Sequence, residues 1–420
     1  LNRTPKKQAK KAGIELMDCR WDYDTLKEVL KDEPLPAMIV NLDCLDHNIA
    51  RIEEVATRFN KKIRIATKSI RVTEIIRYIL DKGQAAFSGL MCFSVPEAAF
   101  LSKTGFDDIL IAYPTCAEAD MDLFYRLTKE GINIVLMVDL PEHVHLLTST
   151  WKQRNETDVK AKVCIDVDVS YKPLGLHLGV FRSSVRKLAD FEAIFASVNE
   201  SEHLVLSGIM GYEAQIAGMG EKNPFSPFTN PVKRLIKKLS VKDVKQKRQH
   251  IHEFLNNQGV ELEFYNGGGT GSLQSTSSEP WITEITVGSG FLQSHLFDYY
   301  ETNLCKPALS FGLQVSRLPQ QGVVTCKSGG FIASGEVSAD KSPIPFMPEG
   351  IRTIKNEGYG EVQTPLRVPG NAMVNLGDPI FFRPSKAGEI AERFNEYILV
   401  RDHKIESRVN TYRGEGQCFY

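Results

Sequence analysis

Between residues 60 and 290 one pattern recurs: a short apolar, β-branched run, a polar or glycine break, then a stretch with helical spacing. The runs are Ile63–Ala66, Ala85–Phe93, Ile109–Tyr113, Asn133–Val138, Ala161–Val169, Leu204–Gly211, Glu261–Tyr265 and Ile282–Val287. Between them, Val95–Lys103, Ala117–Glu130, Val185–Val198 and Val232–Asn256 carry apolar positions at the spacing that buries one helical face. Strands that alternate with helices pair in parallel, because the helix is the crossover. Eight such strands predict an α/β fold with a closed (β/α)8 barrel. An open doubly wound sheet is the alternative, since the pattern does not report closure.

After about residue 304 the texture changes. Leu309–Leu318, Gly322–Cys326, Phe331–Ser334, Glu361–Leu366, Pro379–Arg383 and Tyr397–Val400 are short strand-like runs separated by Gly, Pro and Asn, and only Glu389–Phe394 hints at a helix. This predicts a C-terminal antiparallel β domain. The domain division is therefore a barrel over 40–303, with 304–420 and the leading 1–39 forming the second unit. The run Ala37–Leu42 is free to pair with either.

Composition narrows the function class. Of 420 residues, 42% are hydrophobic and 25% charged, with a formal net charge of −1. That is ordinary globular composition with no bulk field for nucleic acid or an anionic membrane. No apolar run reaches transmembrane length. The basic stretch Lys6–Lys11 lacks a signal peptide's apolar core and is read as a solvated helical face, so a cytoplasmic location is expected. The eight cysteines form no C-x-x-C pair, which fits reduced, buried thiols. His143/His145 and His250/His252 fall in helical stretches, where i and i+2 face apart and do not share a metal.

Active groups of a parallel barrel sit at the C-terminal ends of its strands. The first strand ends Ala66-Thr67-Lys68-Ser69, which places a lysine at the barrel mouth. Desolvation there favours the neutral, nucleophilic amine, whereas a lysine in a surface loop is the plainer alternative. The seventh ends Asn266-Gly267-Gly268-Gly269-Thr270-Gly271-Ser272 and the eighth Gly288-Ser289-Gly290-Phe291. Glycine lets backbone N–H groups approach an anion, and these two loops are the usual phosphate cradle of such barrels. Asp166 and Asp168 stand two apart on a predicted strand and share a face, either as an acid/base or metal pair or as buried polar filling. Tyr212, at the tip of the sixth strand, is placed to stack on a flat ring or to fill the core.

Together these segments, with Gly211–Gly218 and Lys386-Ala387-Gly388-Glu389, resemble the fold-type III pyridoxal-phosphate enzymes from about Pro36 to Tyr397. This is the alanine racemase N-terminal barrel family. The likeness is strongest to the D-threonine aldolase-like branch described as amino acid deaminase/aldolase. The resemblance implies pyridoxal 5′-phosphate as cofactor, held covalently by Lys68, with Tyr212 stacked on its ring. Gly268, Gly269, Thr270, Gly290 and Phe291 fall on the phosphate loops, and the charge and spacing of Arg71 add a candidate phosphate contact.

Departures from the family pattern matter as much. Where alanine racemase has an arginine facing the pyridine nitrogen, this chain reads Gly288-Ser289-Gly290, which leaves Glu213 as the candidate. A barrel-strand arginine of the group is matched by His177. The metal ligands of D-threonine aldolase and D-serine dehydratase, a His and a Cys or Asp two apart, are matched by Lys386 and Gly388. No metal is therefore carried over, and Lys386 becomes a candidate catalytic group in place of the ion.

The leading expectation is a lyase acting on a β-hydroxy D-amino acid, by retro-aldol cleavage or by loss of water and ammonia. Alternatives are an amino acid racemase or epimerase, a non-enzymatic cofactor carrier, and a metal-free barrel enzyme for a phosphorylated substrate. A small-molecule amino acid is the expected partner, with a homodimer as a further candidate.

Overall fold

The computed structural model describes residues 20–154, 159–370 and 372–420. The basic stretch Lys6–Lys11 lies outside them. Among the described residues seventeen strands run in chain order: β1 Ala37–Asn41, β2 Lys62–Ala66, β3 Phe87–Cys92, β4 Ile109–Ile111, β5 Ile134–Val138, β6 Ala161–Asp166, β7 Leu204–Gly211, β8 Phe264–Gly267, β9 Glu284–Val287, β10 Leu309–Gln320, β11 Val323–Lys327, β12 Ile344–Met347, β13 Arg352–Thr353, β14 Gln363–Arg367, β15 Pro379–Arg383, β16 Glu396–Arg401 and β17 Lys404–Asn410.

β2 to β9 close into a barrel, each strand parallel to its neighbours, with β9 returning to β2 in the register Lys62↔Glu284 to Ile65↔Val287. Helices return the chain between them, as at Val95–Lys103, where Ser94 caps the N-terminus by accepting from the Glu97 N–H. The strands' apolar faces pack outward on these helices, with Ile63, Ile65, Ile109 and Ile134 all fully buried. Inside, Met91, Leu110, Ala112, Val135, Met137, Cys164, Met210 and Phe264 form a separate cluster. Arg64 plugs the interior by pairing with Glu284 (2.7 Å) and Asp108 (2.9 Å). A buried cation tolerates such a place only when its donors are matched, as here.

The second sheet runs β13-β14-β11-β10-β1-β16-β17, with β15 on β10 and β12 on β15. It is mostly antiparallel, but one pairing departs from expectation: β1 lies parallel to β16, Met38 facing Tyr397. The run at 37–42 thus joins the β domain, not the barrel. Phe331–Ser334 forms no strand. The Phe331 N–H turns back onto the Gly329 carbonyl (2.7 Å), its ring packs on Phe311 and Phe394, and Ser334 is held by Glu389. Its apolar pattern reports packing of a loop. No helix among the described residues is long and apolar enough to cross a membrane.

Candidate active site

After β2 the chain makes a single tight turn over Thr67–Ser69. The Thr67 hydroxyl donates to the Met91 carbonyl of β3 (3.0 Å), and the Ile70 and Arg71 N–H groups return to the Thr67 carbonyl. This turn aims Lys68 across the barrel mouth, where Nζ donates to the Tyr113 hydroxyl at 2.7 Å. The lysine is exposed, not desolvated as its sequence context suggested, because the mouth opens into a wide vestibule. Lys68, Ser69, Tyr113, Arg182, Tyr212 and the loops after β8 and β9 line an inner cavity of about 160 Å³. It leads into an outer vestibule of about 560 Å³ between the barrel and the β domain.

The loop after β8 is shaped from beneath. Gly268 has φ +78°, a left-handed backbone that a branched residue resists, and a Cβ there would meet Ile285 at 2.7 Å. Its N–H donates to the Glu213 carboxylate (3.1 Å), and the Gly269 N–H donates to Ser272 Oγ (3.1 Å). Glu213 also accepts from the Ser272 hydroxyl (2.7 Å), the Thr276 hydroxyl and the Arg248 guanidinium. Burial alone would push the Glu213 carboxyl up, but Arg248 and these donors hold it below the usual range. Arg248 in turn reaches Glu279 at 2.6 Å. Glu213 is therefore committed to bracing the loop and does not face the cavity, which corrects its candidacy for the ring nitrogen. The polar groups on the cavity wall from β8 and β9 are neutral: Asn266 and Thr286, joined by a 2.8 Å hydrogen bond.

Of the residues singled out from sequence, Lys68, Tyr212, Gly268, Gly269 and Thr270 share the inner cavity. Because the Gly268 and Gly269 N–H groups are taken, their part in any anion cradle is to keep the space clear. A Cβ on Gly269 would come within 3.3 Å of the Tyr212 ring. Gly290 sits one layer back, its N–H donating to Thr270 Oγ1 (3.0 Å). Phe291 is fully buried against Phe87, with its N–H bonded to Gly288, so its ring belongs to the core. Arg71 borders the vestibule, but its guanidinium is engaged by Glu392 (2.6 Å) and the Tyr420 hydroxyl. Asp166 ends β6, and burial followed by the neighbouring Asp139 carboxylate raises it to about 7. Asp168 lies beyond the strand and ties down its own loop through the Ser170 N–H and Arg186.

Several cavity residues were not picked out from sequence. Ser69 and Ser289 bring their hydroxyls within 3.4 Å of each other across the two strand ends. Both stood inside motifs already flagged, and adjacency was the available signal. Tyr113 stands two residues past the end of β4 and was reachable by the same strand-end rule. Arg182 gave no signal, since it enters from a long loop after β6. It lies over the Tyr212 ring (5.9 Å) with no hydrogen bond or ion pair among the described residues. The position matched to the family's arginine, His177, instead stacks on Phe181 at 4.0 Å. The cation on the cavity wall is Arg182, five residues further along the chain.

The β domain meets this site through the turn Lys386–Gly388. A Cβ on Gly388 would fall 1.8 Å from the Lys68 carbonyl oxygen. No side chain, and so no metal ligand, fits there. Lys386 borders the vestibule and is held by Glu389 (2.7 Å) and Ser334 Oγ (3.0 Å). No group of three or more His, Cys, Asp or Glu residues arranged to hold a metal occurs among the described residues.

Gly290→Ala is the cleaner probe of the cradle. The backbone at 290 is not left-handed, but an added Cβ would meet the Thr270 methyl at 3.0 Å and its hydroxyl at 3.2 Å, so that this side chain must give way slightly. Gly268→Val, by contrast, also strains the fold. Gly290→Ala should leave the melting temperature without ligand within a few degrees and shrink the rise expected on adding pyridoxal phosphate. A tenfold weaker affinity removes about 1.4 kcal/mol of that stabilisation. An undiminished rise would count against the assignment.

Residues 40–254 match the family described as alanine racemase, N-terminal domain. The 3-hydroxy-D-aspartate aldolase of Paracoccus denitrificans (strain Pd 1222) is 24% identical over 254 residues, 60% of this chain and 59% of that protein. The chain therefore aligns with less than two thirds of that relative's length. The crystal structure of D-threonine aldolase from Filomicrobium marinum superposes with a TM-score of 0.74 at 18% identity, covering 92% of this chain and 97% of that one. The D-threo-3-hydroxyaspartate dehydratase from Delftia sp. HT23 does so at 0.69 and 17%, covering 91% and 98%. These likenesses establish a shared two-domain fold, and the family match spans just over half of the 420 residues: the chain belongs to the alanine racemase N-terminal domain family.

Proposed function

We propose that this chain is a pyridoxal-phosphate-dependent lyase acting on a β-hydroxy D-amino acid, with Lys68 as the residue that carries the cofactor. One observation carries the reading. The Lys68 ammonium and the Tyr212 ring share one cavity with hydroxyl- and glycine-lined loops at the ends of β8 and β9. Those elements match a flat aromatic aldehyde bearing a phosphate. Thr270, Ser289 and Ser69 supply hydroxyls for the phosphate, Tyr212 walls one ring face, and Asn266 and Thr286 offer only neutral partners to a ring nitrogen. Bound there, pyridoxal phosphate supplies an electron sink for the pair released when a substrate bond breaks. The uncommitted Arg182 at the mouth suits a substrate carboxylate. The relatives named as acting on 3-hydroxyaspartate and D-threonine support the β-hydroxy D-amino acid class.

The deciding experiment is a product assay on a panel of D-amino acids with and without a β-hydroxyl. Retro-aldol cleavage gives glycine (or the matching amino acid) and an aldehyde, dehydration gives a keto acid and ammonia, and a racemase gives the enantiomer. Appearance of the enantiomer alone would replace the lyase reading. Turnover is expected to survive exhaustive chelation, because Gly388 closes the second ligand position against the Lys68 backbone. Strong inhibition reversed by zinc or manganese would show a metal site built from other residues.

A further inference from the structure

Tyr113 is the one group within hydrogen-bond distance of Lys68 Nζ among the described residues, at 2.7 Å, and it stands on the cavity wall. We propose that Tyr113 is the proton carrier for Lys68, taking the ammonium proton so that Nζ can attack a carbonyl and returning it to the departing oxygen. The inference rests on the reading of Lys68 as the cofactor lysine and adds a catalytic residue to it. The surroundings favour it. From the turn after β2 comes the Lys68 ammonium, from the loop after β6 the Arg182 guanidinium, from the end of β6 the opposing Asp166 carboxylate, and from beyond β7 the Tyr212 phenol. Burial pushes the Tyr113 phenol up, but Lys68, by charge and hydrogen bond, and Arg182 outweigh it and hold it below its ordinary value. Two cations against one carboxylate make a phenolate accessible beside the amine it must deprotonate.

The step balances. The Tyr113 phenolate takes a proton from the Lys68 ammonium, and the freed lone pair on Nζ forms the bond to the aldehyde carbon while the carbonyl π pair moves to oxygen. That oxygen takes one proton from Tyr113, which is reprotonated from Nζ and then delivers a second. The C–O bond breaks, water leaves, and a protonated C=N group remains beside the regenerated phenolate. No oxidant or further reactant is needed.

Two measurements test this. The first uses protein freed of cofactor and follows phenolate absorbance against pH, wild type minus Tyr113→Phe. One phenolate should appear at lower pH than ordinary tyrosine, and later in Arg182→Met. The second follows the rate of pyridoxal phosphate capture by borohydride quenching and mapping of the labelled lysine. Tyr113→Phe should slow capture at neutral pH by about 10²-fold or more, the lower end of what a positioned proton carrier supplies. Arg182→Met, a change to an exposed side chain, should move the rate profile to higher pH while the fold is kept. Equal rates and profiles in all three proteins overturn the proposal and leave the cofactor reading standing. Failure of the wild type to be labelled at Lys68 overturns both.

Discussion

Lys68→Ala is expected to yield a folded protein that no longer fixes pyridoxal phosphate and has lost measurable turnover. The side chain is exposed to the mouth and its one hydrogen bond runs to Tyr113, so its removal deletes no buried contact. Stability should change by about 0.5 kcal/mol or less, as for other exposed positions. The chemical loss is far larger. The variant lacks the amine proposed to hold the cofactor, so turnover should fall by at least the factor of about 10²–10⁴ that a positioned catalytic group contributes. The readout is borohydride reduction followed by peptide mapping. Wild type should carry the reduced label on the peptide containing Lys68, and the variant should carry none at stoichiometric level. A variant that is still labelled to one equivalent would place the cofactor on another lysine. The vestibule offers Lys233, Lys341 and Lys386 as alternatives, so mapping is essential and absorbance alone is not enough.

The barrel was legible because its signal repeats. Most of its strands are short, apolar and rich in β-branched residues, and Leu204–Gly211 and Val95–Lys103 were delimited to the residue. The strand-end rule then pointed to Lys68, Tyr212 and the loop at Gly268–Thr270, which converge on one cavity. The β domain was less legible for a physical reason. The strands without a sequence signal, β12, β13 and β17, each pair on a single side. An edge strand needs no continuous apolar face and tolerates proline, as in the Ile-Pro-Phe-Met of β12. The parallel pairing of β1 with β16 joins segments some 360 residues apart, and no local pattern encodes such a partner. Glu213 was misread for a related reason. Its partner Arg248 arrives from the long helix Asn230–Asn257, so an isolated carboxylate at a strand tip gave no sign that its charge was already balanced. Arg182 shows the limit of reading motifs: its loop brings a cation to the cavity from a place that no motif marks.

Lys386→Met should leave pyridoxal phosphate fixed on Lys68 while turnover of β-hydroxy substrates falls by about 10²–10³-fold, the loss expected when a donor aimed at developing oxygen charge is removed. In the resemblance read from the sequence, Lys386 takes a position at which metal-dependent members carry a ligand, and its ammonium is proposed to polarise the substrate hydroxyl in the ion's stead. Its turn is pressed onto the Lys68 backbone by the bare Gly388, so the ammonium has a fixed place on the vestibule wall. The structure also supplies the rival account. Lys386 is bound to Glu389 (2.7 Å) and Ser334 (3.0 Å), and Glu389 receives both the N–H and the hydroxyl of Ser334. That cluster could simply pin the loop at Phe331–Ser334 to the helix Ala387–Ala391. Both partners are about one-third exposed, so the ion pair itself stabilises by no more than about 1 kcal/mol. Glu389→Gln separates the two accounts. It breaks the ion pair but keeps the ammonium, so a catalytic Lys386 predicts turnover close to wild type in Glu389→Gln and collapse in Lys386→Met. A pinning role predicts equal, modest losses in both, together with a lowered melting temperature. Near-normal turnover in Lys386→Met would remove this lysine from the chemistry. The polarising group for the β-hydroxyl would then have to be sought among the other cations of the vestibule, Lys233 and Lys341, which face the same space from the barrel and from the β domain.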